Sequence, residues 1–263
     1  MTVQEPWTRI PPFQGIANFR DYGGYRTADG RLRQGMLFRS AQHQGATGDD
    51  LARVAALCLQ GVVDLRGGDE RAAAPCPRSP GFGARIFTVE ERTGGLLGPH
   101  LADANAQRGG FDARRLMRAG YAAMPFRWRM RNALQNYFEA LTLCDGATLL
   151  HCAAGKDRTG LAVALLHAAL GVHRDDVLAD YLLTNNAHKT DAGFEAAAEG
   201  TRRLFGEELD DAQLRLLMSA EPEYIEAALD AIDGRYGNVV RYLELHLEVS
   251  GKSLARIAEK LTE

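Results

Sequence analysis

Residues 147–171 constrain this chain more than any other stretch. A short apolar run, Ala147-Thr148-Leu149-Leu150, leads into His151-Cys152-Ala153-Ala154-Gly155-Lys156-Asp157-Arg158-Thr159-Gly160. From Arg158 to Leu170 the pattern is apolar on nearly every side, and Gly171 ends it. The run is long enough for a buried strand. A helix that is apolar all round belongs in a core. A buried strand turning tightly into a buried helix is the building unit of a layered α/β fold.

The rest of the chain fits that unit. Met36-Leu37-Phe38-Arg39, Val62-Val63-Asp64-Leu65 and Arg85-Ile86-Phe87-Thr88-Val89 read as strands. Helices are expected over Asp49–Gln60, with Gly61 as its stop, and over Leu134–Leu143. Asp29-Gly30 and Gly23-Gly24 suggest hairpins, and the proline- and glycine-rich residues 67–83 read as a surface loop. Residues 174–263 read as helices with short breaks. The expectation is one α/β domain over 1–263, a central sheet flanked by helices with a helical C-terminal part. Residues 101–135 carry seven Arg and two Asp, interleaved with aromatic and Met residues. Two readings stay open for them: an amphipathic helical pair with a solvated basic face, or a mobile lid or anion-attracting rim.

Composition narrows the function classes. The 263 residues are 46% hydrophobic and 25% charged, as in ordinary globular proteins, and carry a net charge of −3, so no global basic field argues for nucleic acid. No run approaches the roughly 18 apolar residues of a membrane span. The first residues lack the basic start and apolar stretch of a signal peptide. None of Cys58, Cys76, Cys144 and Cys152 forms a C-x-x-C pair, so zinc and dithiol redox sites are not expected; no metal or cofactor is expected elsewhere either. A reducing compartment, the cytoplasm by default, is the simplest location, and the oligomeric state is not legible.

The chemistry is concentrated in the loop. Amides between a strand end and a helix start converge on one space, where the helix dipole adds positive charge. Ala153, Ala154 and Gly155 are small enough for the backbone to curl round a tetrahedral oxyanion. A cysteine there, Cys152, is placed to be a nucleophilic thiolate. Arg158 offers a planar fork to two phosphoryl oxygens, and Lys156 adds a cation at the pocket mouth. Thr159 can donate a hydrogen bond to the sulfur, and His151 is expected to hold the loop through backbone hydrogen bonds. Among the four cysteines, only Cys152 has an Arg six residues on. A Walker A loop is excluded, because Leu150 stands where its first Gly belongs and Asp157 follows Lys156. A cysteine protease, a rhodanese, an arsenate reductase and a non-catalytic phosphate-binding module are each weaker matches.

At these residues the chain resembles the cysteine-dependent protein-tyrosine phosphatases, most closely the bacterial atypical dual- or triple-specificity branch whose loop reads HCxxGKDRTG. Asn18-Phe19-Arg20-Asp21-Tyr22-Gly23-Gly24-Tyr25, Leu37-Phe38-Arg39-Ser40, Val63-Asp64-Leu65-Arg66 with Glu70, and Asp180-Tyr181-Leu182-Leu183-Thr184-Asn185 are similar to other parts of that family. The resemblance implies the phosphatase sheet, with a helical lid inserted at about 91–135. It implies hydrolysis of phosphotyrosine, and of phosphoserine, phosphothreonine or phosphoinositides, on a phosphorylated protein or lipid. Cys152 would form a cysteinyl-phosphate that water then cleaves. Ala153, Ala154, Gly155, Lys156, Arg158 and Thr159 would bind phosphate. The proton for the leaving group would come from Asp157, with Asp64 as the second candidate.

Overall fold

The computed structural model describes residues 13–90, 112–188, 198–199, 201–202 and 209–263. Five strands form one sheet: β1 (Arg20–Asp21), β2 (Leu37–Ser40), β3 (Gly61–Asp64), β4 (Arg85–Thr88) and β5 (Thr148–His151). Their order is β1-β2-β5-β3-β4, and all pairs are parallel except β1 with β2. The strand last in sequence therefore lies between β2 and β3. Its four residues are all buried, as expected of a central parallel strand covered on both faces.

Register aligns the strand ends. His151 lies opposite Ser40 on one side and Asp64 on the other, so the chain leaves β2, β3 and β5 at one level. The loops after those strands must meet, and an open parallel sheet offers its ligand crevice at that edge.

Helix α1 (Gly48–Ala56) begins at Thr47, whose side chain caps Asp50 while Asp50 returns the favour. Phe38, Val62 and Leu149 form the core on one face with Val54 of α1, and Leu37, Val63 and Leu150 face the larger core opposite. In that larger core, α4 (Trp128–Leu143) crosses β3, β4 and β5. Beside it lie α5 (Asp157–Ala169), α6 (Arg174–Leu182), α7 (Asp211–Met218), α8 (Pro222–Tyr236), α9 (Val239–Leu245) and α10 (Gly251–Leu261). The turn-to-helix unit read from sequence is present: nine of the thirteen residues of α5 are buried, so the helix is enclosed.

Three sequence expectations shift. Gly61 opens β3 rather than closing α1, which stops at Ala56. The 67–83 loop contains a helix, α2 (Gly68–Ala73). The expected hairpin at 22–31 reduces to an isolated bridge between Arg26 and Arg31.

The segment expected as a lid divides. Residues 91–111 lie outside the described residues. Residues 113–123 form α3 (Ala113–Ala123), which buries Ala113, Met117, Gly120 and Tyr121 and packs along α8 and α7. Residues 128–135 begin α4, with Met130, Ala133 and Leu134 in the core. A helix seated this way is a wall of the core, with Arg114, Arg115 and Arg118 on its outer face.

Candidate active site

The loop between β5 and α5 is held by its carbonyls. Ala153 O accepts from the Gln42 amide at 2.9 Å. Gly155 O accepts from Asn18 Nδ2 at 2.9 Å and from Arg39 Nη2 at 2.8 Å. Arg39 is fully buried and is fixed in turn by Asp180 at 2.6 Å, which also takes the Arg20 guanidinium. Burial disfavours the Asp180 carboxylate, but the two arginines override it and lower its pKa. These bonds tie the carbonyls of the turn to the segment before β1, to β2 and to the segment after β2. Gly155 makes that path possible: its φ is +66°, and a Cβ there would lie 2.4 Å from Ser40 O.

Cys152 is buried at the base of this loop, directly after β5. Arg158 stands in the first turn of α5. Its Nη1 and Nη2 grip the Glu70 carboxylate at 2.6 and 2.8 Å, and Nη1 also reaches Leu65 O at 3.3 Å. Burial works against the Arg158 charge. The Glu70 hydrogen bonds, then the charges of Cys152 and Glu70, reverse the balance and raise its pKa. The same fork outweighs burial at Glu70 and lowers that pKa. Glu70 lies in the first turn of α2, where its other service is to accept from Gly67 N–H. Sequence reasoning had Glu70 only as part of a resemblance and gave it no role. A Gly-Gly-Asp-Glu start in a proline-rich stretch hid the helix that aims it.

Asp157 opens α5 on the loop side and receives the Tyr121 hydroxyl at 2.7 Å. The other acid expected as a proton donor, Asp64, is engaged differently. It is buried at the end of β3, with both oxygens on Arg66 at 2.9 and 2.7 Å. Burial opposes its charge, while His151 and Arg66 lower its pKa. A carboxylate bound this way braces the loop after β3.

The Lys156 ammonium donates to Leu217 O at 2.5 Å and Ser219 O at 3.2 Å at the end of α7, and lies 3.4 Å from Asp157 Oδ1. It therefore anchors the end of α7 beside Asp157, because the C-terminal carbonyls of a helix attract a cation. Thr159 is buried, but its hydroxyl makes no hydrogen bond, so the expected bond to the sulfur is not formed. His151 stacks on His43, with ring centroids 5.4 Å apart, and its Nδ1 lies 3.4 Å from Cys152 O. Burial pushes the pKa of His151 down to about 4 and that of His43 to about 2.

Among the described residues, the group that could hold a cation is Asp64, Cys76 and His151, with ligand atoms within 4.8 Å of one another. The Arg66 guanidinium already bridges Asp64 and Cys76, at 2.7 and 3.1 Å, so a positive charge is in place there.

A buried sulfur at the end of the central strand, a helix N-terminus and a carboxylate-braced guanidinium thus share one loop. The family model described as "Tyrosine phosphatase family" matches residues 11–263, and the chain belongs to that family. A Cupriavidus necator chain with a provisional tyrosine-protein phosphatase name is 38% identical over 90% of this chain and 84% of its own. The triple specificity protein phosphatase PtpB of Mycobacterium tuberculosis is 30% identical over 87% of this chain and 91% of its own. Among solved structures, TpbA of P. aeruginosa covers 74% of this chain and 96% of its own at 18% identity and a TM-score of 0.31. The chain is thus a phosphoric monoester hydrolase of the tyrosine phosphatase type. Among the described residues, no helix is long and apolar enough to cross a membrane.

Proposed function

We propose that this chain hydrolyses phosphotyrosine in two transfers through Cys152. In the first, the sulfur attacks phosphorus and the ester P–O bond breaks. Asp157 gives its proton to the departing phenolate. In the second, the Asp157 carboxylate takes a proton from water as its oxygen attacks phosphorus, the P–S bond breaks and phosphate leaves. Arg158 and the amides of Ala153, Ala154 and Gly155 offset the charge gathered on the phosphoryl oxygens.

The observation that carries this reading is the bidentate Glu70–Arg158 pair. It fixes the plane of a guanidinium one turn beyond Cys152, and such positioning is most of what phosphoryl transfer asks of a protein. Asp157 is favoured as the acid because the rival Asp64 is bound on both oxygens by Arg66. The ground for phosphoinositides weakens, since the Lys156 charge is spent on backbone carbonyls. The relative PtpB is named for a triple specificity, and we keep phosphoserine, phosphothreonine and phosphoinositides in the proposed range. Free thiols at all four cysteines suit a reducing compartment, and we place the enzyme in the cytoplasm.

Rates on phosphotyrosine and on p-nitrophenyl phosphate test the assignment. Cys152→Ser should abolish both. Asp157→Asn should cut kcat/KM for phosphotyrosine by roughly 10²–10⁴ and spare kcat/KM for the nitrophenyl ester, since that constant reads the first transfer alone and this leaving group needs little protonation. Equal losses on the two esters would remove Asp157 from the role of acid.

A further inference from the structure

Asp157 meets a chain of two phenols. Tyr121 of α3 donates to its Oδ1 at 2.7 Å, and the Tyr181 hydroxyl of α6 lies 2.6 Å from that of Tyr121. Tyr121 has one proton, and Asp157 receives it. The bond between the phenols is then made by the proton of Tyr181. Both rings are buried, at 0% and 1% exposure. Tyr181 is locked against the helix: a Cβ on Gly160 of α5 would lie 2.8 Å from its ring. The Lys156 ammonium, 3.4 Å away, faces the same Oδ1. One oxygen of Asp157 thus already accepts from a phenol and faces a cation, so a proton on this carboxyl group belongs on Oδ2.

We propose that Tyr121, backed by Tyr181, is a positioning residue for proton transfer: it fixes Oδ2 as the oxygen that carries the proton and holds the carboxylate form ready for the water step. This rests on the reading of Asp157 as the acid. The phenols are suited to a permanent donor role, because burial first and the Asp157 charge second oppose their ionisation. Also facing Asp157 are Lys156, which precedes α5, Arg158 of α5 and Tyr224 of α8. In the first transfer the Oδ2 proton passes to the phenolate oxygen as the ester bond breaks. In the second, Oδ2 regains a proton from the attacking water, and the thiolate is released. Tyr121 keeps its own proton throughout.

The test is the pH profile of kcat/KM on phosphotyrosine, which reports the first transfer alone. A donor to a carboxylate favours its charged form, so its removal raises the carboxyl pKa. Tyr121→Phe should move the basic limb up by about one pH unit, the scale of one hydrogen bond to a charged group. Tyr181→Phe should move it the same way by less. Asp157→Asn should remove the limb. A folded Tyr121→Phe enzyme with an unmoved limb, while Asp157→Asn still removes it, overturns the inference and leaves Asp157 as the acid. A wild-type limb in Asp157→Asn overturns both. If Tyr121→Phe fails to fold, Tyr181→Phe decides: a limb that stays in place overturns the proposal.

Discussion

At the residue scale, Cys152 and Arg158 are legible as a pair because their spacing is local. A turn and the start of a helix bring Cys152 and Arg158 together whatever the rest of the chain does. Partners drawn from far away are not legible. The grip of Glu70 on Arg158 depends on a short helix 88 residues earlier, and the Lys156 ammonium finds carbonyls 61 and 63 residues later. Each yields a prediction. Glu70→Gln leaves Arg158 one neutral partner in place of a carboxylate. It should lower kcat/KM on p-nitrophenyl phosphate roughly ten- to a hundredfold, the equivalent of about 1.5–3 kcal/mol. Steady-state kinetics checks this, and an unchanged constant would mean that Arg158 is oriented without Glu70. Lys156→Met should orphan the carbonyls of Leu217 and Ser219 and cost about 1–3 kcal/mol of stability in urea unfolding. Its KM for the small ester should stay near wild type. A raised KM with unchanged stability would return Lys156 to the phosphate.

At the element scale, the strand–loop–helix unit could be placed from sequence because its apolar run and its all-round apolar helix have one packing solution. The basic 101–135 stretch admitted two, since an Arg-rich face and buried Met and aromatic residues serve a lid and an amphipathic core helix equally well. Met117 and Tyr121 of α3 are both buried, at 1% and 0% exposure, with Arg114, Arg115 and Arg118 turned outward, the pattern of an amphipathic helix packed on a core. A core methionine truncated to alanine typically costs about 2–5 kcal/mol. Met117→Ala should fall in that range by denaturant unfolding. A loosely attached lid would show a change under 0.5 kcal/mol, on the order of a surface substitution.

At the scale of the whole molecule, the sheet order puts three loops at one edge, and a cluster of buried ionisable groups lies under them. That sets the acid response. His151 and His43 are neutral when folded, with pKa values of about 4 and about 2 against 6.5 for a free histidine. The unfolded chain binds more protons in that window, so stability is complete above pH 6.5 and falls as pH drops towards 4. The depressed carboxyls of Asp64, Glu70 and Asp180 extend the loss below about pH 4 with the same sign. Urea unfolding at pH 4.5 should give a free energy roughly 2–4 kcal/mol below that at pH 6.5. Equal values would mean that these histidines are charged in the fold. The covalent step is tested most directly by acid-quenching the enzyme within milliseconds of mixing with ³²P-phosphotyrosine and mapping the label. The account predicts phosphate on Cys152, absent from Cys152→Ser. Turnover with no protein-bound phosphate, or a label on another residue, would contradict it.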